Sequence, residues 1–202
     1  MAGEIGILCP SRFEYNALDR NKLHKLKIEV VCSGMGKVRS VLGAMNLYER
    51  CDDLKYMLLI GFVGGLTTDL RIGDIVEPDI FIEQDYNCEP FEKFPNKIKS
   101  SARRKILSES KRATILTQDR FLTDNPYSSK DSGCVDQTIV CDMESYAVAK
   151  FCREKKIRLA VVKLVSDVAN KNASHDFLAA CKKLAPKLNR ITLRSARKLC
   201  LW

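Results

Sequence analysis

Short apolar runs alternate with stretches of helical spacing along the chain. Residues 5–9, 28–32, 56–60, 113–116, 138–140 and 159–165 are brief runs rich in apolar or β-branched residues, which predicts buried strands. Residues 74–83 alternate in part, as a longer strand does. Between these runs, residues 11–26 carry Phe13, Leu18 and Leu23 on one helix. Residues 38–51 place Val38, Val41, Leu42, Met45, Leu47 and Tyr48 at helical spacing. Residues 96–110 read as a surface helix, and residues 144–154 as a helix with Ala147, Val148 and Phe151 inward. A last helix starts near Ser174 and bends at Pro186. The alternation predicts an α/β fold whose sheet is mainly parallel at its centre and covered on both faces. Residues 85–96 and 123–137 read as irregular loops from their Asp, Asn, Pro, Ser and Gly content. With no repeat and no low-complexity linker, residues 1–202 are expected to form a single domain.

Composition narrows the class. Hydrophobic residues at 46% and charged residues at 29%, over 202 positions, suit a soluble globular chain with a sizeable core. No apolar stretch has the length of a bilayer span, and the opening residues lack the basic start of a secretory signal. Nine cysteines, an odd number without a CxxC pair, suit a reducing cytosol better than a disulfide framework. Only two histidines are present and no metal-ligand spacing occurs, so a zinc site is disfavoured. The net charge of +9 is concentrated in residues 97–112 and 182–198. Such a surface suits nucleic acid, but no aromatic residues are interleaved to stack bases, and a solvated basic face is the preferred reading.

Candidate chemistry lies at the strand ends. Glu144 and Asp167 follow two apolar runs, where α/β folds gather their small-molecule sites and where an unpartnered buried acid is costly. Asp167 is either a helix N-cap or a buried acid held protonated. Glu14, after the first strand, is either a solvent-facing acid in a first helical turn or a general base. The glycines in residues 33–44 and 60–76 permit either a tight turn or close approach of a ligand, and the first set leads into a helix N-terminus that favours an anion. Neither segment has the spacing of a dinucleotide fingerprint or a phosphate loop.

Taken together, five ordered segments resemble the nucleoside phosphorylase and nucleosidase superfamily, and within it the 5'-methylthioadenosine/S-adenosylhomocysteine nucleosidases. They are GMGKVRSVLGA, GFVGGLTTDLRIGDIV, EQDYNCEPF, DMESYAVAKFC and VVKLVSDVA. The resemblance implies a three-layer α/β sandwich with a central twisted mixed sheet. It also implies cleavage of the bond between a purine and a ribose, with neither metal nor organic cofactor, by a chain that pairs as a homodimer. Asp167 would protonate the leaving base, Glu144 would hold the ribose hydroxyls beside Met143, and Glu14 would activate water. Phe121, Leu122, Met35, Phe62, Gly64, Ser166 and Phe177 would line the substrate.

Departures from the family pattern bear on that role. Phe62 stands where a small polar residue is common, and its ring is expected to narrow the site. Lys163 stands where arginine is frequent, and lysine cannot form a bidentate fork. Ser11 occupies a position often apolar. Two alternatives follow: a phosphorylase or futalosine hydrolase of the same fold, the former with Arg12, Lys37 and Lys163 gathered on phosphate, or a weakened nucleoside- or nucleic-acid-binding member. A small purine nucleoside is the expected partner, rather than nucleic acid or a membrane.

Overall fold

The computed structural model describes residues 3–87, 96–100, 104–125 and 138–202. Among them the elements run β1 (Ile5–Cys9), α1 (Arg12–Ala17), α2 (Arg20–Lys25), β2 (Glu29–Cys32), α3 (Lys37–Arg50), β3 (Tyr56–Gly65), β4 (Ile75–Glu83), β5 (Lys97–Lys99), β6 (Lys111–Thr117), β7 (Ile139–Asp142), α4 (Ser145–Glu154), β8 (Arg158–Asp167) and α5 (Ala173–Leu199).

The strands join in one mixed sheet. β1 lies parallel between β2 and β3, and β3 runs parallel to β8 over its whole length. β8 meets β4 antiparallel, β4 runs parallel to β6, and β6 runs parallel to β7. β7 then returns antiparallel to the end of β3, so five strands close a small ring. The ring turns the carboxyl ends of β3, β7 and β8 towards one another.

Every residue of β3 is buried, which is why the run reads as continuously apolar. The period-2 alternation is nonetheless present in what each side chain meets. Met57 and Leu59 pack with Leu47, Val148 and Phe151 under α3 and α4. Leu58 and Ile60 pack with Leu23, Leu188 and Ile191 under α2 and α5. The sheet is therefore sandwiched between two helical layers, as the family resemblance implies.

Several local expectations need correction. The surface helix over residues 96–110 does not form: Lys97–Lys99 is a strand paired antiparallel to β4, and residues 104–110 contain no helix. Backbone pairing along an open edge of β4 outweighs a helical spacing of charges that has no core to face. The helix over residues 11–26 is two short helices, α1 and α2, interrupted at Leu18 and restarted by Asp19, whose side chain accepts from Lys22 N. The glycines at 61, 64 and 65 lie inside β3 rather than after it. The sheet is less parallel than expected, because β7, β4 and β5 each introduce an antiparallel pair. Most of the loops expected over residues 85–96 and 123–137 lie outside the described residues.

Candidate active site

The carboxyl ends of β1, β3, β7 and β8 open on a cavity of about 310 Å³. Its wall contains Glu14, Met35, Phe62, Gly64, Phe121, Leu122, Met143, Glu144, Ser166, Asp167 and Phe177, so the structure brings all eleven sequence-predicted residues to one place. It adds Ser11, Arg120, Asp142, Ser174 and Leu178, among others, which the sequence did not single out as substrate contacts.

Glu14 is buried, not solvent-facing. Ser11 and Glu14 form a capping box at the start of α1, in which Glu14 Oε2 accepts from Ser11 N at 2.6 Å. Its other oxygen accepts from Phe62 N at 2.9 Å, which pins the carboxyl against the middle of β3. Such close approach needs Gly61, since a Cβ there would lie 2.9 Å from Glu14 Cδ. Burial holds the Glu14 pKa above the usual carboxylate range, against the pull of Lys163 and the two backbone donors.

Glu144 stands at the N-cap position of α4 but does not cap it. That task falls to Asp142, which accepts from Ser145 N at 3.1 Å, from Ser145 Oγ and from Thr117 Oγ1 at 2.8 Å. Glu144 is thereby left to reach Gly36 N, 3.1 Å away across the cavity. Gly36 has φ +101°, a conformation glycine adopts freely, and it turns this N–H inward. The anion-favouring end of α3 is thus already served by two of the protein's own carboxylates, because Lys37 N donates to Asp119 at 2.7 Å.

Lys163, fully buried in β8, lies 3.3 Å from Asp142 and 3.9 Å from Glu144. Its ammonium is held by ion pairing, without a well-aligned hydrogen bond, as expected of a point charge where a fork would fit. Burial lowers its pKa, yet Asp142, Glu144 and Glu14 together outweigh that and raise it. Three carboxyls share this one ammonium. Burial first, and the charge of Asp142 second, push the Glu144 pKa up to about 8.

Asp167 ends β8 opposite Gly64, after a register shift in the β3–β8 ladder. It is not an N-cap, since α5 starts at Ala173 behind Asn172. Oδ1 accepts from Ala169 N at 2.9 Å, and Ser166 Oγ lies 2.7 Å from Oδ2 and 3.1 Å from Val63 O. One serine hydrogen cannot serve both acceptors. A protonated Asp167 resolves this by donating to Ser166, which then donates to Val63. Burial acts in the same direction and raises the Asp167 pKa.

The opposite wall is aromatic. Phe177 meets Phe62 edge-on at 6.1 Å between ring centres and Phe121 at 5.8 Å. Phe62 narrows the cavity without filling it, because its ring turns against Phe177. Arg12, Lys37 and Lys163 do not converge. Arg12 is exposed, and Lys37 is held by Glu83 and Asp85 at 2.8 and 2.7 Å.

A family model for the phosphorylase superfamily matches residues 13–197. Among solved structures, futalosine hydrolase of Helicobacter pylori is similar over 96% of this chain and 97% of its own, at 20% identity and a TM-score of 0.81. A 5'-methylthioadenosine/S-adenosylhomocysteine nucleosidase from Streptococcus pneumoniae, solved with a transition-state inhibitor, is similar over 96% of this chain and 99% of its own, at 19% identity and a TM-score of 0.77. The corresponding nucleosidase of Neisseria meningitidis, in complex with methylthio-immucillin-A, is similar over 96% and 98%, at 16% identity and a TM-score of 0.76.

Proposed function

We propose that this chain, which belongs to the phosphorylase superfamily, hydrolyses the N-glycosidic bond of a purine ribonucleoside such as methylthioadenosine, S-adenosylhomocysteine or futalosine. The observation that carries this reading is the placement of Glu14, Glu144 and Asp167 around one cavity with an aromatic wall. The base lies against Phe121 and Phe177. Asp167, protonated, donates to a ring nitrogen as the glycosidic electrons leave with the base. Glu144 accepts from the ribose hydroxyls, with Met143 and Met35 against the sugar, and Glu14 takes a proton from the attacking water. Carboxyls on opposite sides of a sugar divide acid and base work in the same way in glycosidases. The reading requires neither metal nor organic cofactor. The cysteine usage supports action in the cytoplasm.

Hydrolysis is favoured over phosphorolysis because the two lysines near the site, Lys163 and Lys37, are committed to carboxylates. Lys163 faces Asp142 and Glu144, and Lys37 faces Glu83 and Asp85. The free base is expected from methylthioadenosine, S-adenosylhomocysteine or futalosine in phosphate-free buffer, followed by chromatography. Release that starts only when phosphate is added would reject the hydrolase reading.

A homodimer is part of the same proposal. α3 presents Val38 and Leu42, 71% and 59% exposed, with Met45 and Tyr48 beside them. The groove of about 810 Å³ between α3 and α4 continues this apolar face. A second copy of the chain suits it, since Met35 in the turn before α3 already borders the cavity. Light scattering is expected to report a dimer, and Leu42→Glu a monomer. A monomeric parent protein would refute the pairing.

A further inference from the structure

A second cavity, of about 530 Å³, opens at the other end of β8. Asp167 closes that ten-residue strand and Arg158 begins it, so the two cavities lie about 30 Å apart at the usual rise per residue. The cavity exists because β4 and β8 separate. They pair only at Ile75–Leu164 and Val76–Lys163. Pro78 then contributes no N–H, and the β4–β6 register shifts immediately after it. Pro78 on one side and Leu159 to Val161 on the other become walls.

Three arginines from separate segments face this opening: Arg104, Arg112 on β6 and Arg158 on β8. Among the described residues, arginine ion pairs are made by Arg50 with Glu29 and by Arg194 with Glu109, and by none of these three. Arg158 donates to Tyr56 Oη at 2.6 Å, which orients its guanidinium without neutralising it. The one side-chain carboxylate in the wall, Glu77, is buried and already accepts from Ile106 N and Leu107 N at 2.7 Å and from Ser110 Oγ at 2.8 Å. The local balance is positive. Leu199 and Trp202 supply an apolar face beside the guanidinium groups.

We propose that this cavity binds a small organic phosphate, with the phosphoryl group among Arg104, Arg112 and Arg158 and a flat organic group against Trp202. Guanidinium groups match phosphate oxygens in pairs, and the volume lies in the range of small-molecule sites. Part of the basic segment at residues 97–112 thereby acquires a specific ligand. The site is independent of the nucleosidase reading and stands or falls without it.

Trp202 is the chain's one tryptophan, so its fluorescence reports on this cavity directly. ADP, without metal at about 0.1 M salt where surface charges are screened beyond ~10 Å, is expected to change that fluorescence saturably. Adenosine is expected to leave it unchanged. The double variant R112Q/R158Q is expected to weaken the ADP response at least tenfold while leaving nucleoside cleavage and the circular dichroism spectrum as they were. Calorimetry of the same titrations gives a second readout. No saturable response, an equal response in the double variant, or an equal response to adenosine overturns the proposal. A response confined to RNA or DNA and lost steeply with salt also overturns it, in favour of a macromolecular polyanion.

Discussion

Asp167→Asn lowers kcat for nucleoside hydrolysis by ~100- to 10,000-fold, the range that general acid assistance supplies. The side chain keeps its shape, and Ala169 N still finds an oxygen acceptor 2.9 Å away. What is lost is the proton. The dependence on pH has a definite sign. Burial raises the pKa of Asp167 in the folded protein, so the acid form persists above the ordinary aspartate value of about 3.9. Activity therefore falls as pH rises through the raised folded value, and Asp167→Asn should abolish that basic limb. Stability follows the same direction. The contribution from protonated Asp167 is complete below the unfolded pKa and disappears as pH rises through the folded one. Steady-state kinetics from acid to alkaline pH, beside thermal melts, test both statements. Parent-like turnover in the Asn variant would remove Asp167 from the reaction.

Glu14→Gln is the second large effect, also expected at ~100-fold or more in kcat, because an amide cannot take a proton from water. Both Glu14 oxygens accept from backbone N–H groups, those of Ser11 and Phe62. A glutamine must turn its NH₂ towards one of them, at a cost of about 1–3 kcal/mol for the unsatisfied donor, partly offset by removal of a buried charge. Activity should thus fall far more than stability. Gly61→Ala gives the converse test, since it leaves Glu14 in the sequence and displaces its carboxyl. Both variants should lose kcat, and Gly61→Ala should also lose stability through the crowded contact. A Gly61→Ala enzyme with parent-like kcat would show that Glu14 need not lie where it does.

The carboxyl cluster explains why these roles divide. Glu14, Asp142 and Glu144 gather around the single ammonium of Lys163, and at neutral pH such a group retains a proton. Burial and the charge of Asp142 raise the Glu144 pKa, which favours its acid form. In the proposed reaction, ribose hydroxyls entering the cavity would meet a carboxyl that can both donate and accept. Asp142 remains engaged with Thr117 and Ser145 and holds the start of α4 in place.

Local signals made the strand and helix alternation legible, because apolar runs and helical spacing act over a few residues. They failed where distant pairing decides. The charged residues 97–99 became a strand because β4 offered an open edge, which no local spacing reveals. Glu14 shows the same division at the site. Its place in a first helical turn follows from Ser11 and the capping box, whereas its burial follows from Gly61 and Phe62 on β3. Asp142 carries a sequence signal of its own, an acid three residues before Ser145, as helix-capping acids do.

By itself, then, the chain's order of residues determined the layered α/β class and, through its resemblance to a family, the three acids worth watching. Only the tertiary structure decided that the sheet closes into a ring, that Asp142 frees Glu144 to cross the cavity, that Lys163 is shared among carboxyls, and that β4 parts from β8 to open a second cavity. Each of these depends on strand ends and side chains far apart in the chain, and their energies are set by burial and by partners that local composition does not specify.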